Sequence, residues 1–274
     1  MISNALSIAL GLGLVTAPAQ PEAASPVLQA SRISDSDEAA FSATDRKISA
    51  FWNKLPSPTA QLLPSTHSHG DGRDEFANDA DARLSVQAAR GERGLYILIR
   101  VTDDEWSPVF KEAGYDSAYD GLELMFDSHS AGQIAECGKK CRPAPLANWD
   151  LTDKTQQLQF YADPASPSLR YLRSNPNFFP GDTLSVADLP ARMPGLALER
   201  VAVGKTRVAE LFISWAQLGI DPKAQRRLAF TLSYHDNDRN RDNPYMINSL
   251  RWVNHGNPFT GPNHWGDIEL VGAD

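Results

Sequence analysis

The sequence predicts an all-β protein: an antiparallel β-sandwich, with jelly-roll or immunoglobulin-like layers and a long loop insertion. Three observations predict it. Apolar residues recur with a period of two in many short runs, the pattern of strands buried on one face. Gly, Pro, Asn and Asp separate these runs at short spacing. No helical pattern exceeds about two turns, and nothing alternates strand with long helix as parallel α/β folds do. With 274 residues, 42% of them hydrophobic, the chain can build one large core.

The elements follow in chain order. An apolar run from Ala5 to Val15 precedes Ala17-Pro18-Ala19. That small-x-small pattern marks residues 1–19 as a secretory signal, and the run is too short for a spanning helix. No Lys or Arg precedes it, a departure from the usual charged start. The expected location is the periplasm or the exterior, with no membrane span. Residues 20–45 read as a linker and a first strand around "PVLQASRI", and residues 46–274 as a single sandwich domain. "RKISAFWNKLP" spaces Ile48, Phe51 and Trp52 for a short helix, and residues 65–81 form a polar loop. "RLSVQAAR" and "LYILIRVTDD" pair across "GERG" as a hairpin. "GLELMFDS" places Leu122, Leu124 and Phe126 on one face and Glu123, Met125 and Asp127 on the other. "TQQLQFYAD" alternates again, and "LALERVAV" pairs with "TRVAELFIS" across "GKT". "WAQLGIDP" is one helical turn closed by Gly219 and Pro222. "RRLAFTLSYHD", "SLRWVN" and "GDIELVG" complete the strands. Residues 129–195, rich in proline, read as long loops inserted into the sandwich.

Composition narrows the partners. With 34 acidic and 26 basic residues the net charge is −8, which argues against nucleic acid, whose binding rests on clustered Lys and Arg. The two cysteines, Cys137 and Cys141, lie close together in "ECGKKCRP". In an oxidising compartment they are expected to form a disulfide, which stabilises little because its loop is short. A metal site would need two more soft ligands, and no His lies nearby.

"SYHDNDRNRDNPY" gathers Asp236, Asp238, Asn240 and Asp242 at alternating positions. Hard oxygen ligands at positions 1, 3, 5 and 7 suit Ca²⁺. The rest of an EF-hand loop is missing, since Arg241 and Ile247 stand where Gly and Glu belong. A solvated turn explains the same residues, because Asp and Asn favour turns. Asp103, Asp104 and Asp127 make a second oxygen-rich set at strand ends, also explained by turns. His67, His69 and Asp71 have a metal-like spacing, but their Ser, Thr and Gly neighbours favour a loop.

Five segments in order resemble the family 9 carbohydrate-binding modules and their wider DOMON-like relatives. They are "GLYILIRVTDDEW", "YDGLELMFDS", "VAELFISWAQLGIDP", "LAFTLSYHDND" and "LRWVN…HWGDIELVG", covering residues 80–128 and 205–272. The resemblance implies a β-sandwich, secretion, binding of a polysaccharide or oligosaccharide without catalysis, and Ca²⁺ in some members. Binding modules of this kind usually serve an enzyme; this one is expected to act alone, on the envelope, or beside a separately encoded glycan-active enzyme.

Sugar rings pack a C–H face on an aromatic ring and hydrogen-bond to polar neighbours. The candidate sugar-binding residues are therefore the loop aromatics Trp106, Tyr115, Tyr119 and Trp265, with Asp120. Packing beneath a loop explains each aromatic singly. The resemblance suggests Trp106 and Trp265 as a clamp on a terminal sugar, whereas Trp215 and Trp252 read as core. Asp120 and Glu123 could suggest a hydrolase, but alternation puts them on opposite faces, and no nucleophile or phosphate motif accompanies them. Two other classes remain open. One is a haem-binding electron-transfer domain of the DOMON-like type, with Met125, Met193 or Met246 as candidate axial ligands. The other is a structural envelope protein.

Overall fold

A computed structural model describes residues 27–41, 47–56, 60–69, 79–106, 120–137, 152, 154–162, 168–173, 182–236, 248–251 and 265–272. Its strands are β1 (Val27–Arg32), β2 (Ala60–Leu62), β3 (Ser68–His69), β4 (Ala82–Arg90), β5 (Gly94–Asp103), β6 (Gly121–Asp127), β7 (Gln156–Tyr161), β8 (Ser168–Arg173), β9 (Asp182–Ser185), β10 (Leu196–Val203), β11 (Thr206–Ser214), β12 (Arg227–Asp236), β13 (Asn248–Arg251) and β14 (Gly266–Leu270). The helices are short: α1 (Asp35–Ala39), α2 (Pro64–His67), α3 (Ala131–Cys137), α4 (Leu189–Arg192) and α5 (Trp215–Leu218).

All 14 strands belong to one hydrogen-bonded sheet, whose main order is β10-β11-β5-β4-β1-β14-β12-β6-β7-β8-β9. The all-β expectation holds. Wholly antiparallel layering does not, because β1 runs parallel to both of its neighbours, β4 and β14. A strand in this position has no hairpin partner. It enters between two strands from distant parts of the chain. Among the described residues, β1 is the hydrogen-bonded link between the two halves of the sheet. The stretch expected to be long loops adds β7, β8 and β9 in succession beyond β6. The expected polar loop contains α2 and the two-residue β3, which pairs with β13.

The hairpins form where the turns predict them. Val203 pairs with Thr206 around Gly204, which has φ 60°, a left-handed conformation costly for residues with a Cβ. The α5 turn starts at Ser214, whose hydroxyl accepts from the Gln217 amide, and stops at Gly219 with φ 73°. The expected helix around Phe51 is a 3-10 turn, Ala50–Lys54.

The sheet curls on itself. One apolar cluster draws Leu28 from β1, Leu84 and Val86 from β4, Ile97 and Ile99 from β5, Leu122 and Leu124 from β6, Leu211 from β11 and Phe230 and Leu232 from β12. Strands far apart in the pairing order also touch. Arg200 Nη1 on β10 donates to the Tyr161 carbonyl of β7 at 2.8 Å, and Gln156 Nε2 on β7 donates to the Gln217 carbonyl of α5 at 2.8 Å. Each large apolar side chain enclosed there contributes about 1.5–3 kcal/mol relative to exposure.

The convex side differs between the two halves. Over β4, β5 and β11 a second apolar cluster joins Ile33, Phe51, Trp52, Tyr96, Leu98, Val208 and Phe212. Glu210, wholly buried, fixes this cover by accepting from Trp52 Nε1 at 2.6 Å and from the Ser49 amide at 2.9 Å. Glu38 does similar work at the β4–β5 turn, accepting from the Glu92 and Arg93 amides and the Tyr96 hydroxyl. Over β6 and β12 the cover is smaller, with Met125, Ala229 and Trp265 packed with Ile134 of α3.

Candidate functional site

Strand alternation builds the first candidate site. The core-facing residues of β5 end Ile97, Ile99, Val101, and the next position on that face is Asp103. On β12 the series Phe230, Leu232, Tyr234 runs on to Asp236, and on β6 the series Phe126, Leu124, Leu122 runs back to Asp120. Three aspartates therefore stand one step beyond the core on three strands, at the same end of the sheet. Each is buried, and one carboxylate oxygen from each lies within 4.8 Å of the others. Tyr234, buried beneath them, donates its hydroxyl to Asp103. Its own proton is held tightly, first by burial and then by the Asp120, Asp103 and Asp236 charges. Burial pushes the Asp103 carboxyl up to about 8; the Tyr234 hydrogen bond opposes this, and Asp236, Asp104 and Asp81 add to it.

Carboxylates crowded this closely in a low-dielectric setting require a proton or a cation to share. The oxygen-only donor set suits a hard divalent ion, with carbonyls and water completing six to eight ligands. The residues of the expected Ca²⁺ loop are only partly described. Asp236 meets Asp103 and Asp120, whereas Asp238, Asn240 and Asp242 lie outside the described residues. The second set expected from sequence is divided. Asp127 points to the other face, where it accepts from the Thr152 and Thr155 hydroxyls and the His129 amide. It anchors the chain that follows β6.

Trp106 borders the acidic end, but its ring is occupied. The Arg207 guanidinium stacks 4.5 Å from its centroid, Tyr234 meets it edge-on at 6.3 Å, and its Nε1 donates to the Lys205 carbonyl at 3.2 Å. Trp265 corrects an expectation, because its side chain is fully buried with Met125, Ile134 and Ala229 and offers no free ring face. The residue immediately precedes β14, and Ile134 of α3 packs against it. Met125 is held in that same packing, and Met193 packs against the main core. Trp215 is buried as expected, donating Nε1 to the Gly91 carbonyl at 3.1 Å. Tyr115, Tyr119, Trp252 and Met246 lie outside the described residues, as does Cys141; Cys137 ends α3.

A second site was not anticipated. On the convex face of β12, β6 and β7, the register aligns Ser233, Glu123 and Gln159 side by side, with His235 and Gln157 diagonal to Glu123. Glu123 is only 4% exposed. It accepts from Gln157 Nε2 and lies 3.1 Å from His235 Nε2. His235 Nδ1 and Gln159 Oε1 are buried with no hydrogen-bond partner. A buried polar group left unmet costs about 1–3 kcal/mol, so a pair on one face is a feature to explain. Alternation does signal these residues, since Glu123, Gln157, Gln159 and His235 occupy the polar phase of their strands. A polar phase normally faces water, and the sequence carries no sign that this one is enclosed. Asp120 and Glu123 do point to opposite faces, as alternation requires.

No family model matches the chain, and no curated protein matches it. Solved structures do. A family 9 carbohydrate-binding module from Caldicellulosiruptor kristjanssonii, in complex with cellotriose, superposes with a TM-score of 0.54 at 13% identity, covering 91% of this chain and 95% of that one. The same kind of module in complex with glucose gives 0.52 at 12% identity, covering 91% and 97%. The fold is that of the family 9 carbohydrate-binding modules. This bears out the likeness to that family's fold carried by the five ordered segments. On this fold the acidic end and the polar face belong to opposite surfaces of the same strands, β6 and β12. No described helix is long and apolar enough to cross a membrane.

Proposed function

We propose that the protein is an exported, non-catalytic saccharide-binding module whose ligand docks on the convex face of β12, β6 and β7. The carrying observation is the polar row in which Glu123 stands between His235 and Gln159, with His235 Nδ1 and Gln159 Oε1 buried and without a hydrogen-bond partner among the described residues. Ligand sites combine apolar walls with a few fixed polar groups. Here the polar groups sit on strands, one pleat from the buried Met125 and Trp265. The shared fold with modules bound to glucose and cellotriose supports the same reading.

The rest of the reading follows from the sequence. The signal-like residues 1–19 place the protein in the periplasm or outside the cell, where Cys137 and Cys141 form a disulfide. Asp103, Asp120 and Asp236 hold a structural cation of the Ca²⁺ type, and a glycan-active enzyme is the partner. Trp106 braces the acidic end; Tyr115 and Tyr119 remain candidates for the aromatic contact to sugar.

The test is binding of residues 20–274 to a panel of soluble and insoluble polysaccharides, with and without a chelator. A specific glycan should be retained, and Glu123→Gln should weaken it at least about tenfold, the loss of a charged hydrogen-bonding group. Retention by no glycan, with the protein folded, sinks the reading. Undiminished binding by folded Glu123→Gln moves the site elsewhere.

A further inference from the structure

We infer that the saccharide bound on the Glu123 face carries an amine: an amino sugar whose ammonium pairs with Glu123. This rests on the saccharide-binding reading above and adds the ligand's charge. Among the described residues, Glu123 meets the amide of Gln157 and the ring of His235. A carboxylate has room for about four hydrogen bonds, so about two positions remain. In the tautomer whose Nε2–H donates to Glu123, His235 Nδ1 is a bare acceptor. Gln159 Oε1 is a second bare acceptor. The face thus offers acceptors on three adjacent strands, β12, β6 and β7, across about 10 Å at the usual strand spacing. A ligand that satisfies it donates from several positions at once and brings positive charge to the buried carboxylate. A lone ammonium is too small to span the row, and a neutral sugar brings donors without charge. An amino sugar brings both, with three N–H donors on its ammonium and hydroxyls around its ring. A uronate or sulfated sugar sets like charge against Glu123 on a chain whose net charge is already −8.

The experiment is calorimetric titration of residues 20–274, at physiological salt, with four oligosaccharides of equal length and linkage. They are a glucose oligomer, its 2-amino counterpart, the N-acetylated form of that counterpart, and a uronate oligomer. The amino form should bind at least tenfold tighter than the glucose form, and N-acetylation, which removes the charge, should erase the gain. Glu123→Gln should erase the amine preference, while the exposed Glu92→Gln keeps it, separating the site from general attraction. Gln159→Leu, which leaves the carboxylate in place, should weaken all ligands severalfold and serves if Glu123→Gln fails to fold. Equal or tighter binding of the glucose or N-acetyl form overturns the amine assignment and leaves the saccharide reading standing. Preference for the uronate overturns it too, and identifies a protonated His235 as the donor. Binding of none of the four, alongside retention by another glycan in the panel, overturns the amine assignment alone; failure of both overturns the saccharide reading with it.

Discussion

The convex side of the sheet is built in two ways. Over β4, β5 and β11 it is sealed by aromatic and aliphatic side chains, with Phe41, Phe51 and Phe212 ringed about Tyr96 at centroid distances of 5.0–5.7 Å. Its buried carboxylates, Glu38 and Glu210, are supplied with backbone and side-chain donors. Over β12, β6 and β7 the enclosed residues are Glu123, Gln157, Ser233 and Thr231, and His235 Nδ1 and Gln159 Oε1 on the flanking strands are unmet among the described residues. Packing alone accounts for the first surface. It does not account for the second, because apolar residues in those places would be better for stability. The difference separates a sealed wall from the face proposed as the site, within one continuous sheet.

The largest effect should come from breaching the wall. Trp52→Ala removes a ring that is 3% exposed and leaves Glu210 without its indole donor. Urea unfolding should show a loss of about 3–5 kcal/mol, while glycan affinity per folded molecule stays unchanged. A loss of affinity without a loss of stability would reverse the assignment of the two surfaces. The polar face should respond in the opposite sense. The double variant Glu123→Leu, His235→Phe should keep or raise stability, by up to about 1–4 kcal/mol, and abolish saccharide binding. A strongly destabilised double variant would make the row structural.

The acidic end can be separated from both surfaces by pH. Asp103 has a folded value of about 8 against a reference of 3.8, so the folded state holds more protons than the unfolded state between those limits. Stability then falls as pH rises through that window. With a chelator present, the Tm should decline from about pH 4 to pH 8, and Asp103→Asn should flatten the decline. Millimolar Ca²⁺ should remove it in the parent protein, because the cation binds the ionised carboxylates. A Tm that ignores both Ca²⁺ and chelator across the range would show that a shared proton, not a metal, settles the three aspartates.

These contrasts also explain how much could be read beforehand. The strands, the α5 turn and the opposed directions of Asp120 and Glu123 follow from local periodicity and turn chemistry. In sequence Asp236 stands with Asp238 and Asn240, yet the described residues join it to Asp103 and Asp120. That grouping depends on β5, β6 and β12 ending at one edge, a non-local fact. Parity carried part of it, since each aspartate continues an apolar series by one step. The parallel placement of β1 had no local sign at all, and the enclosure of Trp265 depends on α3, which lies in the stretch expected to be loop.

The smallest predicted effect concerns Trp106, where loop position alone suggested a sugar platform. Its ring lies between the Arg207 guanidinium and the Tyr234 edge, and that Tyr234 hydroxyl is bonded to Asp103. Trp106→Ala removes a cation–π contact of about 0.5–1 kcal/mol and a hydrogen bond of similar size. The Tm should drop by a few degrees, and the Ca²⁺ response should weaken as Tyr234 loosens beneath the aspartates. Saccharide affinity should stay within about twofold, because Trp106 belongs to the acidic end and the ligand to the convex face. A large loss of affinity with an unchanged Ca²⁺ response would return the sugar to the loop aromatics and leave the Glu123 row without a ligand.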